Sequence, residues 1–505
     1  MKRSYARSVT LSYASIVLSA AIALLFTPFL VSSLGIEGYG LMSLSIAFLA
    51  YLNIMDFGLN DSLIRYFVSH RDDSAATQGF LSRMLALYLG IGGLILVSGF
   101  VLSAVFPALF AQTMSPEQID ELRDMIKVMA LGAAVLIGFN PVSALAYAHE
   151  RHFFMQLADT AILIASTLIT IILLLEGYGA FSVVAVTAFG KIVKALTCIV
   201  YVRISIGARV RFERPEAAEL KRILRYAAPI FVSVLAGALF WRLDNVLIGA
   251  MLGAAPIAIY AIGVTFNKYF MSFATALSRV MTPEIIRQVE QGADANKLTD
   301  MMIQISRIQA IFLLLILSGL IVFGQRFLIL WLGPQFAPAY WIMLAILTPF
   351  TFELTGNARN IILQVKGLYW YKSAITFVMA ALNVPLTLIL LRTMGVLGAA
   401  VSTGIAILVG YFLIALLLKV KVGIEMGRYF IQTVRGIVPL AVVLTVTGLL
   451  TEPFLLQGWL PLIAGAAAYA GIFGLVVYFF GANQEERAFI THFLSRFRMR
   501  GAGNV

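Results

Sequence analysis

The chain has 505 residues, 61% of them hydrophobic and 12% charged, with a mean hydropathy of +0.93. Soluble globular chains carry about 25% charged residues, so a soluble enzyme, a disordered chain and a nucleic-acid binder are excluded, even at a net charge of +12. The composition is that of an all-α polytopic membrane protein. The lone Cys198 cannot form an intramolecular disulfide, and the four histidines make no metal-ligand cluster, so no metal site and no cofactor are expected.

A helix needs about 20 apolar residues to cross about 30 Å of hydrocarbon. Apolar runs place spans at 9–33, 39–57, 80–107, 124–148, 153–175 and 180–203. A basic stretch, 204–223, follows. A second series covers 224–252, 256–283, 304–332, 338–364, 368–392 and 396–418, and two further runs lie at 434–452 and 459–481. The pattern gives about fourteen spans. The first run follows MKRSYARSV with no convincing cleavage site and is read as a retained span.

Basic residues gather in alternate gaps. One set holds Arg65, Arg71 and Arg151, the cluster Arg203, Arg209, Arg211, Arg214, Lys221, Arg222 and Arg225, then Arg287, Lys297, Lys366, Lys419, Lys421 and Arg428. The tail adds Arg487, Arg496, Arg498 and Arg500, whereas the other gaps hold only Arg123, Lys127, Arg326 and Arg392. The positive-inside rule then puts both termini in the cytoplasm. No gap is long enough for a soluble domain, so the work is expected between the helices.

An internal repeat organises the spans. At a lag of 218, Leu34 and Gly35 fall on Leu252 and Gly253, Phe48 on Phe266, Gly177 on Gly395, and Val183 on Val401. The expectation is two six-helix lobes of the same orientation, 1–203 and 224–420, joined by a cytoplasmic linker at 204–223. Two additional helices and a tail occupy 421–505. Parallel repeats of this kind build transporters with the binding site between the halves.

The segments LGIEGYG, NIMDFGLNDSLIRYF, WLGPQFAPAYW and ALNVPLTLILLRTMGVLGAAVST resemble the Wzx-type O-antigen and exopolysaccharide flippases. These belong to the multidrug/oligosaccharidyl-lipid/polysaccharide (MOP) exporter superfamily, and the resemblance covers the whole chain. It implies movement of an undecaprenyl-pyrophosphate-linked oligosaccharide from the cytoplasmic to the periplasmic leaflet of the bacterial inner membrane. The implied partners are that lipid-linked substrate, membrane lipids, H+ or Na+ as coupling ion, and a polysaccharide polymerase.

Charges inside the spans are the site candidates, because each costs about 2.5–3.5 kcal/mol to insert at mid-membrane. They are Asp159, Lys191, Lys194, Arg242, Asp244, Lys268 and Glu353. Lys191 and Lys194 share one helix face, which meets water or an anion unless both side chains snorkel to the interface. Lys268, Ser272, Thr275 and Arg279 form a polar stripe. Arg242 and Asp244 diverge, Arg242 lying with Asn245 and Gly249 and Asp244 with Trp241 and Gly237. Arg242 and Lys268 lie on either side of the Gly253–Pro256 turn, each about 15–20 Å from it. Two cations at one depth suit a diphosphate, the Arg as a planar fork and the Lys as a mobile point charge. A carboxylate on another helix is the competing partner for each.

The expected substrate-binding set is therefore Arg242, Lys268, Lys191, Lys194, Arg279 and Asn245. The ion-coupling candidates are Asp244, Glu353 and Asp159. Glu353 also suits a structural pairing with Arg359, and Asp159 and Asp56 suit structural roles near span ends. The sequence has no G-x-x-x-x-G-K-[ST] loop, so an ion gradient or the membrane potential is expected to supply the energy. A peptidoglycan lipid II flippase is the close alternative. A multidrug-type ion-coupled exporter is disfavoured by the cationic interior, and a membrane enzyme by the short outer loops.

Overall fold

The computed structural model describes residues 2–57, 59–70, 73–208, 213, 217–454, 456–484, 486 and 487. Much of the expected linker, including Arg209, Arg211 and Arg214, lies outside them, as do Arg71, Arg496, Arg498, Arg500 and the side chains of Arg222 and Arg279. The protein is all-α, and the described residues contain no strand. In chain order the first helices are α1 (Lys2–Asn53), α2 (Leu59–Ser69), α3 (Ser74–Val105), α4 (Pro116–Gly138), α5 (Asn140–Ala148), α6 (His152–Leu175) and α7 (Ala180–Ser205). After the basic stretch come α8 (Ala217–Leu252), α9 (Ala254–Glu290), α10 (Ala295–Leu332), α11 (Ala339–Thr355) and α12 (Asn357–Val365). The last five are α13 (Tyr369–Met394), α14 (Val396–Val422), α15 (Met426–Val434), α16 (Ile437–Thr451) and α17 (Trp459–Val476).

Eleven helical segments of the described residues are long and apolar enough to cross a membrane, twelve when α4 and α5, bent by 43°, count as one. The chain is a multi-pass membrane protein. The expected first two spans are the two arms of α1, whose 52 residues would extend about 78 Å if straight. Gly35 interrupts that helix with φ 69° and ψ 175°, a conformation that needs a residue without a Cβ. The four glycines matched by the sequence lag all have positive φ: Gly35 69°, Gly177 88°, Gly253 92° and Gly395 60°. The short helices α5 and α12 are each nine residues long and each begins at an asparagine after a break.

The chain forms two compact units. One comprises Met1–Ala261 with Thr387–Ala399, the other Ile262–Leu386 with Ala400–Val505. In the first, α4 packs between α3 and α7 through small residues. Gly92 meets Ala134, Gly99 meets Ala130, and a Cβ on Gly132 would fall 2.8 Å from the Ala188 carbonyl oxygen. Lipid tails give apolar helix faces no reason to seek one another, so backbone proximity through small residues supplies the attraction. A capping box starts α4, with Ser115 and Gln118 each bonding the other's backbone N–H and Pro116 just inside. At the start of α5, Asn140 Nδ2 donates to Asp56 at 3.1 Å.

In the second unit α10 is the central post, with α11, α12, α15, α16 and α17 around it. One apolar core gathers Leu298, Met302, Leu363, Leu418 and Tyr429. Another joins Ile311 and Val322 of α10 to Ile437, Leu462 and Phe473 of the last two long helices. Two arginines fasten α10. Arg307 reaches both carboxylate oxygens of Glu486, at 2.5 and 3.2 Å, and the carbonyls of Gln432, Arg435 and Gly481 at 2.7, 2.9 and 3.0 Å. Arg326 Nε pairs with Glu452 at 2.7 Å. The two arginines are nineteen residues apart, about 28 Å along a helix, which is close to the hydrocarbon thickness.

Candidate functional site

The charges of α8 separate as the spacing predicts. Asp244 is buried, at 2% exposure, and Arg242 is exposed. The carboxylate accepts hydrogen bonds from Tyr260 Oη of α9 at 2.6 Å and Thr387 Oγ1 of α13 at 3.2 Å. Both partners belong to the first unit, and each lies within one residue of a point where the chain passes into the second. Asn245, one residue on, is buried, and its Oδ1 has no partner among the described residues. The buried hydroxyl of Tyr51, on α1, is likewise unpartnered and lies within electrostatic range of both Asp244 and Arg242.

Lys191 and Lys194 share one face of α7 but not one environment. Lys194 Nζ pairs with Asp159 Oδ1 of α6 at 2.7 Å, whereas Lys191 takes no carboxylate among the described residues. Beside this pair the thiol of Cys198 lies 3.8 Å from the sulfur of Met155, a packing contact.

In the second unit Lys268 is exposed on α9 and forms no ion pair among the described residues. The hydroxyls of its polar stripe turn back to their own helix, Ser272 donating to the Lys268 carbonyl at 2.8 Å and Thr275 to the Met271 carbonyl at 2.7 Å. Its neighbour Asn267 is buried with neither amide atom partnered among the described residues. Glu353 holds Arg359, as the alternative reading of the sequence has it, with Nη2 3.1 Å from the carboxylate. Arg359 is completely buried, bonds the Gly356 and Glu353 carbonyls, and stacks its guanidinium 4.3 Å from the ring of Tyr411.

The cations singled out above differ in their partners. Lys194, Arg307, Arg326 and Arg359 each have a carboxylate. Arg242, Lys268 and Lys191 have none among the described residues. A cation in a span without a carboxylate partner is costly to insert. The described residues contain no group of three or more His, Cys, Asp or Glu able to hold a metal.

A family model described as "Polysaccharide biosynthesis protein" matches residues 5–289, more than half of the chain. The chain belongs to this polysaccharide biosynthesis family. A family-scale likeness extends over nearly its full length to an uncharacterized membrane protein, EpsK, of Bacillus subtilis (strain 168). That relative is 22% identical, over 97% of both chains. Among solved structures the fold matches the lipid II flippase MurJ in an inward closed conformation, with a TM-score of 0.74 and 15% identity, over 93% of this chain and 99% of that one. It also matches an inward-facing multidrug resistance MATE transporter of the MOP superfamily, with a TM-score of 0.67 and 16% identity, over 80% of this chain and 95% of that one. At these identities the two structures establish the fold.

Sequence reasoning missed several residues of this polysaccharide biosynthesis protein. Tyr51, Tyr260 and Thr387 carry no charge, so nothing marked them as companions of Asp244. Asn267 was overshadowed by Lys268. Arg307 and Glu486 sit near the ends of apolar runs, where charges are ordinary, and only the fold brings them together.

Proposed function

We propose that the protein flips a lipid-linked oligosaccharide, carried on undecaprenyl pyrophosphate, from the cytoplasmic to the periplasmic leaflet during polysaccharide assembly. The observation that carries the reading is that Arg242, Lys268 and Lys191 have no carboxylate partner among the described residues, in a chain of the polysaccharide biosynthesis family. A pyrophosphate is the anion of a lipid-linked sugar, and its unaided passage through hydrocarbon is costly. Arg242 and Lys268, placed on either side of the turn at Gly253, take the diphosphate at one depth, the Arg by its fork and the Lys as a point charge. Lys191, and Lys194 in exchange for Asp159, receive it from the cytoplasmic side. Arg279 extends the cationic stripe of α9, and Asn245 supplies an amide to the sugar-phosphate.

The two halves, 1–203 and 224–420, act as parallel lobes about a shared cavity, with 421–505 outside them. The recurring positive-φ glycines and nine-residue helices support that arrangement. Alternating access needs only two states that contact the head group differently. Of the three acidic candidates, Asp159 and Glu353 are neutralised by ion pairs with Lys194 and Arg359. The coupling H+ or Na+ is assigned to Asp244, which accepts hydrogen bonds from Tyr260 and Thr387. The protein sits in the inner membrane with both termini cytoplasmic and hands its cargo to a polymerase.

The test is complementation of a flippase-deleted strain with Arg242→Ala, Lys268→Ala and Arg242→Lys, each at matched membrane abundance. The alanine variants should accumulate lipid-linked repeat units on the cytoplasmic leaflet, and Arg242→Lys should restore only part of the polymer. Full polymer from both abundant alanine variants would refute the assignment. Accumulation of lipid II in the deleted strain would transfer the reading to peptidoglycan.

A further inference from the structure

Within the second unit α13 and α14 run antiparallel. Gly410 of α14 lies against Met379 of α13, and Lys421 Nζ stands 5.7 Å from the ring centroid of Tyr371. The two helices have 26 and 27 residues, a length of about 40 Å each, against about 30 Å of hydrocarbon. The end at Tyr371 and Lys421 therefore reaches the level of the lipid headgroups.

That end is basic and aromatic. Lys366, Lys419 and Lys421 are exposed and form no ion pair among the described residues. Gly367 turns the chain with φ 70°, and Leu368 N–H donates to the Leu363 carbonyl at 2.8 Å. This tight turn keeps Lys366 at the level of Trp370. The indole of Trp370 is 60% exposed, and its ring centroid lies 3.7 Å from that of Tyr371. Rings of this kind, apolar in the body and polar at the tip, favour the boundary between hydrocarbon and headgroups. The nearby acids are engaged elsewhere. Asp300 and Glu425 both pair with Arg428, and Asp294 caps α10 by accepting from Lys297 N–H at 2.8 Å. Toward the hydrocarbon, Phe412, Leu416 and Val420 are exposed at intervals of four residues, an uncharged stripe along one side of α14.

We infer that this end of α13 and α14 is a binding site for an anionic phospholipid of the phosphatidylglycerol class. The phosphodiester lies between the ammonium groups of Lys366 and Lys421. The glycerol backbone rests on the exposed indole of Trp370, and an acyl chain follows Val420, Leu416 and Phe412 into the bilayer. An uncompensated negative charge is what the lysines select. Phosphatidylcholine brings its own cation to the same place, so it gains little from them.

Trp370 supplies the readout. The full-length protein is reconstituted in dioleoyl phosphatidylcholine bilayers containing a minor fraction of either phosphatidylglycerol or phosphatidylcholine brominated on its acyl chains. Emission of Trp370 is the difference between wild type and Trp370→Phe, and bromine quenches it on contact. Brominated phosphatidylglycerol should associate beside Trp370 about fivefold more strongly than brominated phosphatidylcholine, the factor that one lysine near a membrane surface supplies toward anionic lipid. Lys366→Gln with Lys421→Gln, two exposed positions, should bring that ratio close to one at an unchanged melting temperature. Arg151→Gln with Arg203→Gln, exposed positions of the first unit, should leave it unchanged. Equal quenching by the two lipids in the wild type, or an undiminished preference in the lysine variant, would overturn the inference. So would an equal loss in the arginine variant, which would show that the net charge of the whole protein sets the preference.

Discussion

Replacing Arg307 by alanine tests whether the last helices are held by a buried ion pair or merely by apolar packing. Arg307 is 11% exposed and Glu486 is fully buried. The guanidinium serves both oxygens of that carboxylate and three backbone carbonyls, while the carboxylate also accepts from Asn483 N–H at 2.9 Å. Arg307→Ala leaves a buried carboxylate without its cation, a change that costs about 3–5 kcal/mol in such sites. Arg307→Lys keeps the charge but loses the five-donor fork, so its loss should be intermediate. Arg307→Met with Glu486→Leu removes both charges and should recover most of the difference, less what the three carbonyls lose. Thermal unfolding of the purified protein in detergent orders the four chains as wild type, double variant, Arg307→Lys, Arg307→Ala. An Arg307→Ala protein that melts with the wild type, or a double variant less stable than it, would refute the reasoning.

Other substitutions probe other links. Gly132→Val should destabilise the first unit by about 1–3 kcal/mol through overpacking, because no space exists between α4 and the Ala188 backbone, and chemical denaturation of the purified protein reads it. Tyr260→Phe removes a hydroxyl donor from buried Asp244 and should cost about 1.5–3 kcal/mol, as for other hydrogen bonds to a charged group; an unchanged denaturation midpoint contradicts that. The Lys194–Asp159 pair is about one-third exposed, so a double-mutant cycle should return a coupling of about 1 kcal/mol or less, and a value several times larger would mean that water does not reach it.

The spans were legible because apolar runs report burial in lipid directly, and the turns because only glycine accepts their backbone. Gly35, Gly177, Gly253 and Gly395 were picked out by spacing, and all four adopt positive φ. The divergence of Arg242 and Asp244 was legible too, since two positions on a helix face different ways whatever surrounds them. Partnership was not. Spacing named Lys194 and Asp159 as residues of opposite roles, and the packing of α6 on α7 made them a pair. The two spans read at the start of the chain are the two arms of α1, separated where Gly35 leaves the helical conformation with φ 69° and ψ 175°. The number of crossings depends on such bends, which hydropathy does not register.

The Arg307–Glu486 pair spans 179 residues of sequence, and that separation has a consequence for how the protein is made. A ribosome adding about 5–20 residues per second takes roughly 10–40 s to travel between them. For that interval α10 must sit in the membrane with a guanidinium whose counter-charge has not yet been synthesised. Insertion therefore ends with the closing of the C-terminal turn onto α10, and a chain cut short before Glu486 keeps an exposed defect.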